Sequence, residues 1–225
     1  MKLVKSQAYA LVKMSKDIVM KHLEVAGRVC YRSEGNITEE SADRFIKSII
    51  SRGHESVIEH IQVSAIIICE RSISHQIVRH RLASHSQESQ RYCNYSKERF
   101  DGQIRYIIPT WLENEEAELK EYLEYGSSPY ISIPGQIWIE SMLKSERDYK
   151  ELIRYGWTPE QARTVIPNSA KTELMMTMNL REWRHFLNVR GESGADPQIV
   201  KLANILLEDL YSYLPAVFED IVHGK

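Results

Sequence analysis

The chain has 225 residues, 43% hydrophobic and 27% charged, an ordinary globular composition that excludes a disordered or fibrous polypeptide. Its formal net charge of −2 excludes a broadly basic surface for nucleic acid or anionic membrane, so any anion site must be a local concentration of Arg and Lys. Cys30, Cys69 and Cys93 are odd in number and irregular in spacing, which excludes a disulfide framework and predicts free, buried thiols in a reducing compartment.

Residues 17–31 place Ile18, Val19, His22, Val25, Ala26 and Val29 at helical spacing, predicting a helix that Gly35-Asn36 breaks. Thr38, followed by Glu39, Glu40 and Ser41, marks the start of a second helix. Phe45, Ile46, Ile49 and Ile50 form its apolar stripe, and Gly53 closes it. After a short turn or helix over 55–59, residues 61–69 are nearly continuously apolar. Val63, Ile66, Ile67 and Ile68 predict a buried strand there. Residues 72–82 predict a helix with Ile73, Ile77 and Val78 inward, whereas 84–96 are too polar for a core element and read as a loop. A strand over 104–108 ends at Pro109.

The acidic tract 111–155 is helical, broken at Gly126-Ser127-Ser128-Pro129 and again near Pro134-Gly135. Thr158-Pro159-Glu160 reads as an N-cap with Pro at the first helical position. A strand over 173–178, a helix over 181–189 and a last helix over 197–213 complete the chain. Helices dominate, and the strands do not alternate regularly with them. The expected fold class is α+β, helix-rich, with a central, mainly antiparallel sheet flanked by helices in a single domain over 1–225. No apolar run nears the roughly 20 residues that span a bilayer. Residues 1–13 lack the apolar segment and cleavage site of a signal peptide, so a cytoplasmic location is expected.

The segment Arg79-His80-Arg81-Leu82-Ala83-Ser84-His85-Ser86-Gln87-Glu88-Ser89-Gln90-Arg91-Tyr92 is the most unusual in the chain. It holds three arginines, two histidines and three serines, with Glu88 the only acid. Guanidinium groups match phosphate oxygens in pairs, and serine hydroxyls add donors. A solvated basic loop that pairs with the acidic tract and an organic-phosphate site both fit this composition. A non-catalytic RNA-binding loop is a further reading, opposed by the overall charge. His54 and His60, with Glu55 and Glu59 between them, do not have the HExxH spacing that puts two metal ligands on one helical face, so no metal site is expected. Trp111, Trp138, Trp157 and Trp183 default to packing, as do Met175, Met176 and Met178. His22, His75 and His223 default to surface or satisfied core positions.

Arg79-His80-Arg81-x-x-Ser84 followed by Ser89-x-Arg91-Tyr92 resembles the signature of the flavin-dependent thymidylate synthases. Gly53-His54-Glu55-Ser56 with Glu59-His60 is similar to the family's upstream segment, and Ala162-Arg163 with Pro167 to its middle motif. Asn179-Leu180-Arg181 and His185-Phe186-Leu187-Asn188-Val189-Arg190 resemble its C-terminal motif. The similarity spans roughly residues 20–210. It implies reductive methylation of dUMP to dTMP, with 5,10-methylenetetrahydrofolate as carbon donor and NADPH-reduced FAD as hydride source.

On that resemblance Arg190 activates the uracil ring, and Gln76, Arg79, Gln87, Glu88, Ser89, Gln90, Arg91 and Arg163 join it around dUMP. Ser56, Arg79, His80, Arg81, Gln87, Asn179, Arg181 and His185 are assigned to FAD, and His54 to the folate or NADPH side. Many members carry Asn-Glu where this chain has Ser86-Gln87, with Glu88 displaced by one, so Gln87 is assigned to both ligands. A homotetramer with shared active sites is implied as well, and neither nucleic acid nor membrane is expected as a partner.

Overall fold

The computed structural model describes residues 1–11 and 14–223. Residues 12, 13, 224 and 225 lie outside it, as does the side chain of His223, so the reading of 1–13 and that of His223 are covered only in part. The chain divides into two compact units. One comprises residues 1–6, 68–78 and 87–174, the other 7–67, 79–86 and 175–225. The secondary structure is helix-rich α+β, as the pattern of elements predicts. Four strands form an antiparallel sheet in the order β2 (Gln7–Leu11), β3 (Gln62–Glu70), β6 (Lys171–Asn179), β4 (Ser84–Gln87). A separate parallel pair joins β1 (Lys2–Val4) to β5 (Arg105–Ile107), with Leu3 opposite Tyr106.

In the second unit, α1 (Lys16–Val29) starts where Ser15 accepts the Ile18 N–H at 3.3 Å, with Asp17 in the first turn. Its buried face is Val19, Met20, Leu23, Glu24 and Gly27. The stripe read from the sequence through Ile18, Val25 and Val29 faces solvent, because this helix carries apolar residues on two sides. Glu24 is fully buried and satisfied by Arg28 Nε and by Ser41 Oγ, each at 2.8 Å. That bond ties α1 to the first residue of α2 (Ser41–Ser51), which begins later than Thr38; the Thr38 N–H instead donates to Ser41 Oγ at 2.9 Å.

A Cβ on Gly27 would lie 2.6 and 2.8 Å from ring atoms of Phe45. Gly27→Val should therefore cost about 1–3 kcal/mol by overpacking, despite removing a helical glycine. Thermal or urea unfolding checks this, and an unchanged midpoint would show that Phe45 swings aside freely.

Beyond α2, Gly53 takes the left-handed conformation (φ 75°) that ends the helix, and a 3₁₀ turn covers Glu55–His60. β3 alternates: Val63, Ala65, Ile67 and Cys69 are buried, while Ile66 and Ile68 are only partly so. It is thus a half-buried strand and not the fully buried one predicted, because its other face carries Ser64, hydrogen-bonded to Thr177 at 2.8 Å. The segment 84–96, expected from its polarity to be a loop throughout, forms β4 at its start, because an edge strand needs only backbone partners and tolerates polar side chains. α7 (Leu180–Arg190), α8 (Pro197–Tyr213) and α9 (Pro215–His223) close this unit, with α8 packed on α7, α9 and β2. The expectation that α8 is the last helix is corrected by α9, which Pro215 starts afresh after the break at Leu214.

The first unit holds α3 (Arg71–Ile77), shorter than predicted, then α4 (Glu116–Tyr125), α5 (Ile133–Arg154) and α6 (Pro159–Ala162). Pro134 does not break α5. It sits in the first turn, where its missing N–H has no partner to lose, behind the Ser132 cap. Tyr95, Ile104, Tyr106, Met142 and Tyr149 form one core, and Ile108, Leu112, Leu119 and Ile139 a second. Glu146 is buried and satisfied by the Met1 ammonium at 3.0 Å, Lys150 at 2.6 Å and the Ile104 N–H at 2.9 Å.

All three cysteines are free, but only Cys69 is buried, and burial pushes its thiol up to about 12, which makes it inert near neutrality. Cys30 is exposed and Cys93 partly so, against the expectation of buried thiols, since Cys30 caps the solvent end of α1. Trp183 is buried and donates to the Val63 carbonyl at 2.9 Å, whereas Trp111 is exposed. No described helix is long and apolar enough to cross a membrane.

Candidate active site

β6 runs directly into α7, and Asn179 makes the junction. Its extended backbone ends the strand, and its side chain accepts the Glu182 N–H at 2.8 Å as the helix cap. Asn179 thus has a structural task that spacing alone could not reveal. Starting α7 there fixes the faces that follow: Arg181 and His185, four residues apart, are exposed together, while Arg184 and Phe186 turn inward. Arg190 arrives in the last turn, where a cation is favoured by the helix dipole.

An open cleft of about 980 Å³ lies along this junction. Arg81, Ser84, Thr177, Asn179, Arg181, Glu182, His185 and Asn188 are among the residues that line it. Glu55 and Glu59 of the 3₁₀ turn also line it. Glu59 accepts from Arg181 at 2.6 Å, a half-exposed pair of little net worth. Four predicted flavin residues, Arg81, Asn179, Arg181 and His185, therefore share one cleft. Ser56 and His54 are exposed in or just before the 3₁₀ turn and do not line it, and Arg79 is exposed at the end of the α3 segment.

His80 differs from its two arginine neighbours in being buried. Its ring packs edge-on against Phe186, 4.9 Å between centroids, and near His185 at 5.9 Å. Arg190 Nε donates to His80 Nε2 at 3.0 Å. A guanidinium can only donate, so Nε2 carries a lone pair and the neutral ring holds its proton on Nδ1. Burial, then the charges of Arg190, His185 and His85, lower the His80 pKa to about 4. An unfolded histidine takes up its proton near 6.5, so between that value and about 4 the unfolded state binds the extra proton and stability falls as pH falls. The backbone of His80 is held too: His85 Nε2 bonds to the His80 carbonyl at 3.1 Å, which leaves His85 Nδ1 buried without a partner among the described residues.

Ligand-type atoms of His80, Glu182 and His185 lie within 4.8 Å of one another. A cation taken up through His80 Nε2 would have to displace Arg190 from that nitrogen and would meet its positive charge, while Glu182 offers a carboxylate of the opposite sign.

The first unit carries the second part of the basic motif. Gln87, at the end of β4, donates to the buried Thr172 hydroxyl at 3.1 Å. Glu88 follows and is held three ways: its N–H bonds to the Glu173 carbonyl at 2.8 Å, and its carboxylate accepts from Tyr95 at 2.7 Å and Lys171 at 2.9 Å. Burial opposes the Lys171 charge, but Glu88 and Glu173 outweigh it and its pKa is raised. Sequence reasoning missed Lys171 because the two partners lie 83 residues apart. Clamped in this way, residues 89–93 form a turn in which the Ser89 carbonyl accepts the Tyr92 and Cys93 N–H groups.

Ser89 Oγ accepts the Arg91 N–H at 3.3 Å, and no base is bonded to it among the described residues. That environment does not activate a nucleophile. Arg91 reaches Glu160 of α6 at 2.8 Å, both half-exposed, and Arg163 follows one residue after that helix. Gln76 lies partly buried in α3, and Gln90 is partly buried in the turn.

Residues 11–216 match the sequence profile of the thymidylate synthase complementing protein family. The chain is 34% identical over 205 residues to the flavin-dependent thymidylate synthase of Mycobacterium sp. (strain KMS), a match that covers 88% of this chain and 78% of that protein. Flavin-dependent thymidylate synthases of Mycobacterium bovis and Mycobacterium tuberculosis are 33% identical over 201 residues with the same coverage.

Proposed function

The chain belongs to the thymidylate synthase complementing protein family, and from that premise we propose that it is itself a flavin-dependent thymidylate synthase, converting dUMP to dTMP. The observation that carries this reading is the cleft at the start of α7, where Arg81, Arg181 and His185 present donors around a space within the range of small-molecule sites.

That donor set fits FAD. Two guanidinium groups favour an anionic phosphate or reduced ring, and an imidazole adds a directed bond. Bound there, FAD would supply hydride to a one-carbon unit from 5,10-methylenetetrahydrofolate after NADPH had reduced it. The rest of the task falls to the chain's own groups. Arg190 stabilises negative charge developing on the uracil N3 and O2 edge; being permanently protonated, it acts as an electrostatic stabiliser and not as a proton carrier. Arg91 and Arg163 take the nucleotide phosphate, with Ser89, Gln76, Gln87 and Gln90 as polar contacts. Glu88 acts through its bonds to Lys171 and Tyr95 to hold the turn in shape. Ser56, Arg79 and His80 are further flavin residues, and His54 belongs to the folate or nicotinamide side.

Glu160 occupies the guanidinium that a phosphate would take. Glu160→Gln should tighten dUMP binding by about two- to fivefold, the range set by the small worth of an exposed pair. Titration of dUMP on the purified protein measures this, and weaker binding would remove Arg91 from the phosphate site.

A homotetramer with shared active sites, working in the cytoplasm, completes the proposal; dilution should then release flavin and lose activity together. The deciding assay is release of tritium from C5-labelled dUMP with FAD, NADPH and the folate supplied. Protein that takes up no flavin and releases no label would end the reading.

A further inference from the structure

We propose that His80 is a positioning residue for Arg190: its neutral imidazole, packed against Phe186, accepts the Arg190 Nε–H and so sets the direction of the guanidinium's terminal nitrogens. Arg190 stands in the final turn of α7, where the following Gly191 ends the helix and backbone restraint is running out. A long side chain there would sample many rotamers, at a cost of roughly 2 kcal/mol of entropy to fix. A bond at Nε restrains the group through an N–H that lies outside the Nη1/Nη2 edge, the edge that recognises planar oxygens in pairs. His80 can serve because its surroundings restrain it. Its carbonyl is bonded to His85, its ring is edge-on to the fully buried Phe186, and it is itself 6% exposed.

The charged and titratable groups around the ring agree on its protonation. Arg190 and His185 of α7 and His85 of β4 oppose a proton on it, and Arg79 and Arg81 flank it in the chain. Glu182 is the acid close by among the described residues, and it is partly exposed. A protonated ring would point a donor at a donor and break the contact.

This inference rests on the reading of Arg190 as the uracil activator, and its test separates the two. His80→Gln places an amide oxygen near the former Nε2 position and keeps an acceptor, whereas His80→Phe keeps the ring and removes it. With flavin content held equal, His80→Phe should lower kcat/KM for dUMP by roughly ten- to a hundredfold, the worth of a buried hydrogen bond to a charged group, and His80→Gln should restore it to within about threefold. Equal damage in both variants, or loss of flavin with turnover per bound flavin intact, would overturn the proposal.

Histidine-selective nitrogen NMR supplies a second readout, and on the unsubstituted protein no folding defect can spoil it. His80 should carry its proton on Nδ1, and Arg190→Met should raise its pKa; a proton on Nε2, or no response, sinks the idea. Arg190→Met is also the control. If it keeps turnover, the activator role falls and this inference with it; if it abolishes turnover while His80→Phe does not, only this inference falls.

Discussion

Arg190→Ala is expected to reduce dTMP formation by roughly a hundred- to a thousandfold, the effect of removing one preorganised stabiliser from a developing anion. FAD content should stay near that of the parent, because Arg190 is not among the residues lining the cleft assigned to the flavin. Arg190→Lys should recover only part of the activity. An ammonium keeps the charge, but it cannot offer paired donors to a planar ring edge while also bonding His80 through a separate nitrogen. Single-turnover methylation with flavin reduced beforehand isolates the step from NADPH oxidation. Ser89→Ala is the companion measurement: its hydroxyl sits in a turn bonded to a backbone N–H, so the variant should keep measurable turnover. Greater damage from Ser89→Ala than from Arg190→Ala would reverse both role assignments.

Arg184→Met is expected to produce the largest loss of stability, about 2–3 kcal/mol. The guanidinium is buried, and every edge of it is used. Nε donates to Glu55 at 3.0 Å, and Nη1 to the Val217 carbonyl and to Asp220 at 2.7 Å. Nη2 donates to Asp220 at 2.7 Å. One side chain thus joins the 3₁₀ turn, α7 and α9. Replacing it strands the buried Val217 carbonyl, while Asp220, 56% exposed, and the partly exposed Glu55 can be hydrated. The cost therefore comes chiefly from that carbonyl and the lost charge-assisted bonds. Against a typical total of about 5–15 kcal/mol, that is a severe change.

The loss should also depend on pH. Arg184 holds the Asp220 carboxyl below its usual range, so its contribution is complete at neutrality and fades as pH falls from the unfolded carboxylate pKa of about 4 through the lower folded value. Urea unfolding at neutral pH and near pH 3 should therefore show the gap between the parent and Arg184→Met narrowing in acid. A neutral-pH loss under about 1 kcal/mol would mean that the hub is dispensable.

Local order was legible wherever a short-range rule applies. The Thr158-Pro159 cap is present with its full capping box, and Gly53 takes the left-handed turn that ends α2. The helix over Pro197–Tyr213 has the predicted bounds. Errors fell where burial is a tertiary outcome. The apolar stripe expected to be inward on α1 faces solvent because the helix has two such stripes, and only α2 and the 3₁₀ turn decide which one is covered. β4 escaped notice because an edge strand is recognised by its neighbour's backbone and not by its own side chains.

The chemistry divides in the same way. Residue type by itself determined that Arg79, Arg81, Arg91, Arg181 and Arg190 carry donors suited to phosphate or a planar ring edge, since guanidinium chemistry is a property of the residue wherever it stands. The resemblance of their motifs to a family supplied their roles. What each group touches belonged to the tertiary structure. Arg190 meets His80 across 110 residues of chain and Glu88 meets Lys171 across 83, and only folding supplies such contacts. Asn179, expected as a ligand, proves to be a helix cap as well. A hydrogen bond needs atoms about 3 Å apart, and a linear code specifies that distance only between residues a turn or less apart.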